Sequence, residues 1–267
     1  MKRSALVLQD LSCFTKASIN ISLPILESNN IDTAILPLSL LSTQSDGFDD
    51  FFIKDLGHEC EKVLNRFLSL GFSFDGILSS YIANYEQYCL VKKVFESFDS
   101  LIVVDPVLGD DLKLYQGFDK ENIKIIKSLI AYGDVITPNI TEACLLTDYE
   151  LKESYTKEDI EKIVTILSSL TKAKIVITSV NIEKDKLTNV IYDDEIKYIS
   201  FDKVDASYPG SGDLFSSLLL SFLLNNESLY SSVRRAGSIT SECIKYTYES
   251  KRERRLGLDI IKALRSN

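Results

Sequence analysis

Short apolar runs alternate along the chain with longer stretches of helical periodicity. The runs are rich in β-branched and aliphatic residues and predict strands at 4–10, 33–38, 74–80, 100–107, 133–139 and 173–179. The segment 157–172 follows Thr156 and has the spacing of an amphipathic helix in its apolar residues, which are Ile160, Ile163, Val164, Leu167 and Leu170. Residues 187–200 predict a hairpin that turns at "DDE".

This alternation of strands and helices predicts an α/β fold, with a mainly parallel sheet covered by helices on both faces. Because no linker, repeat or low-complexity segment interrupts it, a single domain over residues 1–267 is expected. Parallel sheets of this kind bind ligands at the carboxyl ends of their strands. Polar segments follow the predicted strands there: "QDLS", "SSYIAN", "DPVLGDD", "TPNITEA" and "TS". Their shared edge predicts a binding site.

Composition and charge narrow the range of partners. A formal charge of −9 argues against nucleic acid and anionic membranes, since both bind basic surfaces. No apolar stretch reaches the roughly 20 residues of a membrane span, and the N-terminus lacks the pattern of a signal peptide. The five scattered cysteines form no CxxC pair and predict buried, reduced thiols in a cytoplasmic protein. The basic cluster "KRERR" (251–255) is expected to be a solvated helix start.

The stretch "SYPGSGDLF" (207–215) is followed by an almost unbroken apolar run, which predicts a buried helix. Gly210 and Gly212 permit close approach or positive φ. The N-terminus of such a helix offers unpaired N–H groups to an anion, and Asp213 is expected in its first turn. A carboxylate beside an anion hole suits phosphoryl transfer to an alcohol, because the hole holds the phosphate while the acid accepts the hydroxyl proton. The alternative interpretation is an ordinary N-cap made by Ser211 or Asp213.

Neither a P-loop nor the protein-kinase catalytic signature occurs in the chain. Instead "QDLSCF", "VVDPVLGDDLKLY", "DVITPNITEA" and "VDASYPGSGDLF", in this order, resemble the motifs of pyridoxal kinases of the ribokinase superfamily. The resemblance implies a ribokinase-like (Rossmann-like) domain, usually dimeric. It also implies transfer of the γ-phosphate of ATP to the 5′-hydroxyl of pyridoxal, pyridoxine or pyridoxamine, with Mg²⁺ and often a monovalent cation.

The resemblance also implies roles for individual residues. Asp213 would be the general base, and the anion hole would be formed by Gly210, Ser211 and Gly212. The nucleotide would be bound by Asn139, Glu142, Thr178, Ser179 and Ser211, against a pocket wall of Val204, Asp205 and Ala206. Cations would contact Asp105, Asp110, Thr137 and Glu142. Acidic residues also agree with the oxygen ligands that magnesium requires.

On the vitamin side, the resemblance implies ring contacts from Asp10, which could pair with a protonated ring nitrogen, and from Tyr81. Gln44 and Ser45 stand where the family often has His and Thr. Both can still hydrogen-bond a phenol or aldehyde, but Gln cannot titrate near neutral pH.

This departure leaves a hydroxymethylpyrimidine kinase as an alternative. A sugar kinase is disfavoured, because the first loop lacks the Gly-rich, Asn-containing pattern of sugar binding. A non-catalytic B6-binding protein is a further alternative, against which the intact Asp213, Asn139 and Glu142 argue.

Overall fold

The computed structural model describes residues 2–265. Its strands are β1 (Arg3–Ser12), β2 (Ile31–Leu41), β3 (Ile53–Asp55), β4 (Gly76–Ser79), β5 (Leu101–Val104), β6 (Gly109–Asp110), β7 (Lys113–Leu114), β8 (Val135–Ile136), β9 (Lys174–Val180), β10 (Lys186–Asp193) and β11 (Glu195–Asp202). Its α-helices are α1 (Ile19–Ser28), α2 (Gly57–Ser69), α3 (Tyr85–Ser97), α4 (Lys120–Leu129), α5 (Ile140–Thr147), α6 (Lys157–Leu170), α7 (Ser211–Leu224), α8 (Leu229–Glu249) and α9 (Ile261–Leu264).

Nine of the described strands form one sheet, in the order β11-β10-β9-β8-β5-β4-β1-β2-β3. Neighbouring strands are parallel from β2 to β9. The edges are antiparallel, with β3 on one side and the β10–β11 pair on the other. The strands β6 and β7 pair with each other in a separate hairpin. The predicted mainly parallel sheet is therefore confirmed.

The side chains of β1 show how the sheet separates two apolar layers. Ala5 and Val7 pack in a core with α1, α7, α8 and α9, whereas Leu6 and Leu8 pack in a second core with helices α2 to α6. Successive residues of a strand point to opposite faces, so a run that is apolar at every position marks a sheet buried on both sides. The predicted helical cover on both faces is confirmed.

Helix α7 is fixed at the ligand-binding edge of the sheet by the residue before it. Gly210 has φ 92°, and a Cβ at this position would lie 2.3 Å from Ile21 Cδ1 and 2.8 Å from the Lys16 carbonyl oxygen. Any other residue would need both positive φ and displacement of α1. The helix behind it is almost entirely buried, as the unbroken apolar run predicted.

The ends of some strands and helices differ from the predictions because of the residues found there. The segment predicted as a strand at 133–139 pairs as a strand only at Val135–Ile136, because Pro138 has no N–H to donate. The predicted helix at 157–172 ends at Leu170, and the predicted hairpin turns at Asp194, which has φ 65°. No helix within residues 2–265 is long and apolar enough to cross a membrane.

Two further expectations were wrong. The basic cluster 251–255 does not start a helix: it follows the end of α8 at Glu249 and contains a 3₁₀ turn, Arg254–Leu256. The cysteines are free, as expected, but Cys13 and Cys89 are exposed rather than buried.

Candidate active site

A cavity of about 1260 Å³ opens at the carboxyl ends of the parallel strands. It is lined by all the residues predicted for the site: Asp10, Gln44, Ser45, Tyr81, Asp105, Asp110, Thr137, Asn139, Glu142, Thr178, Ser179, Val204, Asp205, Ala206, Gly210, Ser211, Gly212 and Asp213. Pockets for one drug-sized ligand measure roughly 300–1,000 Å³. The cavity therefore has room for two substrates side by side.

Asp213 lies in the first turn of α7 and is held through both carboxylate oxygens. The backbone N–H of Ser18 donates to Oδ2 at 2.8 Å, and Gln9 Nε2 donates to Oδ1 at 3.2 Å. Removal from solvent raises the pKa of Asp213 to about 7, helped by the nearby charge of Asp10 and opposed by the Ser18 hydrogen bond. A carboxylate with this pKa can accept a proton near neutral pH.

The start of α7 is open to an anion. Its N-cap is Gly210, and within the described chain no side chain caps this end of the helix. The Ser211 N–H donates weakly to Tyr208 O at 3.4 Å, and the Leu214 N–H donates to Gly210 O at 3.0 Å. The interpretation of Asp213 or Ser211 as an ordinary N-cap is therefore wrong. The N–H groups of Gly212 and Asp213, and the weakly bonded N–H of Ser211, are available to a ligand.

Asp10 is the second acid on this side of the cavity. It is 5% exposed, and its Oδ1 accepts from Ser18 Oγ at 2.5 Å. Burial raises its pKa, while the hydrogen bonds from Ser18 and Ser12 oppose the rise. Ser18 thus contacts both Asp10 and Asp213.

Two further buried acids, Asp105 and Glu142, also line the cavity, and Asp105 lies beside Gly212. Burial and the charge of Asp213 raise the pKa of Asp105 to about 8. Burial and the charge of Asp105 raise the pKa of Glu142 well above its usual range. Buried carboxylates whose pKa values are raised by desolvation and by neighbouring negative charge are a favourable environment for a cation.

Asn139 and Glu142 also have a structural role. The Glu142 N–H donates to Asn139 Oδ1 at 2.9 Å and the Asn139 N–H donates to Glu142 Oε2 at 2.8 Å, which is a capping box at the start of α5. Glu142 Oε1 accepts from the Leu108 N–H at 3.1 Å. Each oxygen keeps a further lone pair, so capping does not prevent a ligand role.

The residues present fit a cation that is bound partly by the protein and partly by phosphate oxygens of a substrate. Thr137 Oγ1 is buried and has no hydrogen-bond partner in the part of the chain that the structure describes. No group of three or more His, Cys, Asp or Glu side chains within 2–265 is arranged to hold a metal ion alone. Magnesium is typically bound by one or two carboxylates plus substrate oxygens, which matches this sparse set.

Tyr81 and the loop at 43–48 form the wall near Asp10. The Tyr81 ring stacks on Phe118 with centroids 5.4 Å apart, and burial raises the Tyr81 pKa to about 12. Gln44 binds the loop backbone: its Nε2 donates to the carbonyl oxygens of Asp46 and of Arg255 (the latter at 3.2 Å), and its Oε1 accepts from the Asp46 N–H at 2.6 Å. Most of its hydrogen-bonding capacity is therefore used within the protein.

Thr178 and Ser179 line the cavity near the carboxyl end of β9. Ser179 has φ 59°, and its N–H donates to Asn189 Oδ1 at 3.3 Å. Two residues of α8, Gly237 and Thr240, also line the cavity here, and the Thr240 hydroxyl is buried without a partner among the described atoms. A Cβ at Gly237 would lie 2.4 Å from the ring of Phe201, so glycine is required for this close packing.

Sequence reasoning missed Gln9, Ser18, Tyr115 and Arg254, all at or beside the site. Gln9 could have been found, because it precedes Asp10 in the polar segment that ends β1. Arg254 pairs with Asp46 at 2.6 Å, in the cluster expected to be solvated. Ser18 had no recognisable signal, since its partner Asp213 is far away in sequence.

Comparison with known proteins agrees with this geometry. A family model described as phosphomethylpyrimidine kinase matches residues 73–256. The chain belongs to this family. Among similar proteins, the pyridoxal kinase of Dictyostelium discoideum is 32% identical over 178 residues, which cover 61% of this chain and 57% of that protein. The match thus spans little more than half the length of this curated relative.

Two crystal structures match over almost the whole chain. The pyridoxal kinase of Lactobacillus plantarum has 30% identity and a TM-score of 0.93, with coverage of 99% of this chain and 96% of that chain. A Bacteroides thetaiotaomicron structure, described as a phosphomethylpyrimidine kinase in a crystal form with pyridoxal, has 31% identity and a TM-score of 0.93, with coverage of 99% of this chain and 95% of that chain. The predicted resemblance to pyridoxal kinases and the predicted ribokinase-like fold are confirmed.

Proposed function

We propose that the chain is an ATP-dependent kinase that phosphorylates the 5′-hydroxyl of pyridoxal, and also of pyridoxine and pyridoxamine, in vitamin B6 salvage. The observation that carries this proposal is the position of Asp213, which lies beside a helix start that no side chain caps. Its pKa is raised to about 7, and the cavity that it lines has room for two substrates. The substrate class is supported by the similar structure in a form with pyridoxal.

Asp213 acts as the general base. The 5′-hydroxyl oxygen forms a bond to the γ-phosphorus, its proton passes to Asp213, and the bond from the γ-phosphorus to the bridging oxygen of ADP breaks. The hydrogen bonds from Ser18 and Gln9 fix the carboxylate, so that its basic lone pair has a constant direction. The N–H groups of Gly210, Ser211 and Gly212 receive the negative charge of the transferring group.

The remaining predicted residues bind ATP and its cations. The phosphates lie against Asn139, Glu142, Thr178 and Ser179, and the nucleoside lies against Val204, Asp205 and Ala206. When bound, magnesium neutralises phosphate charge during transfer. Asp105 and Glu142 would hold it, with Thr137 and Asp110 as further oxygen donors; burial and then neighbouring carboxylate charge raise the pKa values of Asp105 and Glu142, and a cation would offset both effects.

The vitamin ring lies between Asp10 and Tyr81. Phe118 covers one face of Tyr81, which leaves the other face for a planar ligand. Asp10 pairs with the ring nitrogen. Ser45 is the better placed of the two loop residues to bond the phenolic oxygen, because Gln44 holds the loop through three backbone hydrogen bonds.

A hydroxymethylpyrimidine kinase is the second candidate, favoured by the description of the matching family. That substrate has a similar hydroxymethyl group but no phenol. A site built to bond a group rejects an analogue that lacks it, because buried polar atoms are left unpaired. We therefore expect at least one B6 vitamer to be used more efficiently than hydroxymethylpyrimidine by roughly 10-fold or more.

An ATP-consumption assay with the three vitamers and hydroxymethylpyrimidine, at one ATP and magnesium concentration, tests this proposal. Asp213→Asn is the matched control, because it changes one atom and should lower turnover by roughly 10²–10⁴. Equal or greater efficiency with hydroxymethylpyrimidine would assign the chain to the pyrimidine kinases. No turnover of any substrate would support a non-catalytic B6-binding protein.

A homodimer, a monovalent cation, a cytoplasmic location and a single domain stay predictions from the resemblance and the pattern. Light scattering tests the first, and the dependence of the rate on potassium and sodium tests the second.

A further inference from the structure

Ser18 joins two acids of the site through two different groups. Its backbone N–H donates to Asp213 Oδ2 at 2.8 Å, and its hydroxyl donates to Asp10 Oδ1 at 2.5 Å. The residue is 7% exposed and stands directly before α1. Among residues 2–265, Gln9 donates to Asp213 alone and Ser12 to Asp10 alone, whereas Ser18 donates to both carboxylates.

The backbone of Ser18 is unfavourable for a residue with a side chain. Its φ of 50° and ψ of −127° are those of the first central position of a type II′ turn, where glycine is preferred. The turn is closed by the Asn20 N–H, which donates to Ala17 O at 3.1 Å. Glycine would make the same turn and the same bond to Asp213 without strain. What serine adds is the hydroxyl bond to Asp10.

We propose that Ser18 is a positioning residue that sets the separation of Asp10 from Asp213. With Asp10 on the ring nitrogen and Asp213 at the 5′-hydroxyl, the vitamer must reach both at once. Because Ser18 donates to both carboxylates, it holds them at a fixed distance from each other. The proposal rests on the function proposed above and adds a residue that determines how the vitamer, but not ATP, is bound.

Two variants test the role of the hydroxyl. Ser18→Gly removes the hydroxyl and the strain, whereas Ser18→Ala removes the hydroxyl and keeps a side chain in the strained conformation. Both keep the backbone N–H that holds Asp213. In both we expect the KM for pyridoxal to rise about 10-fold, the usual effect of losing a hydrogen bond to a charged group, with the KM for ATP unchanged.

The thermal midpoint separates positioning from stabilisation. Ser18→Gly should melt close to the parent, because relief of backbone strain offsets the lost hydroxyl bond to Asp10, and yet bind the vitamer less well. Asn30→Gly is the matched control: Asn30 is exposed, has φ 61° and lies just beyond the other end of α1. It should leave both KM values unchanged.

Parent-like KM values for pyridoxal in both Ser18 variants, with the parent enzyme active, would overturn the positioning role and leave the proposed function intact. Equal increases of the KM for ATP and for pyridoxal would also overturn it, since that pattern indicates general distortion. A parent protein that phosphorylates no B6 vitamer would overturn both proposals together.

Discussion

Asp213→Asn is expected to stabilise the ligand-free protein while it removes catalysis. The carboxylate is partly buried and its pKa is raised from 3.8 to about 7, so the folded state disfavours the charged form. The neighbouring Gln9 Oε1 is buried and has no partner among residues 2–265. If the Gln9 amide turns over, this oxygen can accept from the new Asn Nδ2 and Gln9 Nε2 takes the position without a partner, so the number of unpaired polar atoms does not rise.

The magnitude follows from the two pKa values. A group with a raised folded-state pKa contributes stability below its unfolded pKa, and this contribution is lost as the pH rises through the folded pKa. For Asp213 the loss between pH 4 and pH 8 has an upper limit of about 4 kcal/mol. The free energy of unfolding that is lost at pH 5, because Asp213 is harder to ionise in the folded state, is less than half of the loss at pH 8. If Asp213→Asn recovers half of this upper limit at pH 8, or about 2 kcal/mol, the thermal midpoint of a chain of this length should rise by roughly 4–8 °C.

Thermal unfolding at pH 8 and pH 5, without ATP or magnesium, measures this effect. Asp159→Asn is a control of the opposite sign: Asp159 accepts from Tyr149, Lys152 and Thr156, and these bonds lower its pKa. Its carboxylate stays ionised at both pH values, so this variant should melt lower than the parent at both. A gain for Asp213→Asn that is equal at pH 5 and pH 8, or a loss at pH 8, would refute the reasoning.

Three other outcomes are expected. Glu142→Gln should require several-fold more magnesium for half-maximal rate with an unchanged KM for pyridoxal; an unaltered magnesium titration would limit Glu142 to its capping role. Gly210→Ala should lower stability by at least about 1–3 kcal/mol in chemical denaturation, because the residue has φ 92° and its Cβ would clash with Ile21; a parent-like midpoint would contradict the packing. The kcat/KM for pyridoxal should rise with pH through about 7, because Asp213 must be ionised to accept a proton; a rate independent of pH from 6 to 8 would exclude Asp213 as the titrating base.

Features of the chain that depend on local pattern could be predicted from the sequence. Runs such as 4–10 are apolar at successive positions and end in polar residues, which predicts both the buried strand and the ligand edge. The glycines before Asp213 likewise predicted the open helix start. The strands β3, β6 and β7 were missed because each has only two or three residues, which is too short to show a periodic pattern.

The rest of the site depends on contacts that no local pattern contains. The bond between Ser18 and Asp213 joins residues 195 positions apart, and Gln9 is 204 positions from the same acid. Whether Asp213 caps its helix or faces a cavity is decided by these distant donors. Arg254 was assigned to solvent because charge runs usually are solvated, whereas its pairing with Asp46 depends on where α8 ends.

The division of the sheet between two sets of helices has a consequence for protein synthesis. Helices α2 to α6, which cover one face, are made in the middle of translation, soon after the strands that they cover. The other face is covered by α1 and then by α7, α8 and α9, which are made only after helices α2 to α6. A nascent chain that has reached residue 205 therefore has one finished face and one largely bare apolar face, on which aggregation can begin and chaperones can bind. Since Asp213 arrives with α7, the step that covers this face is the step that completes the active site.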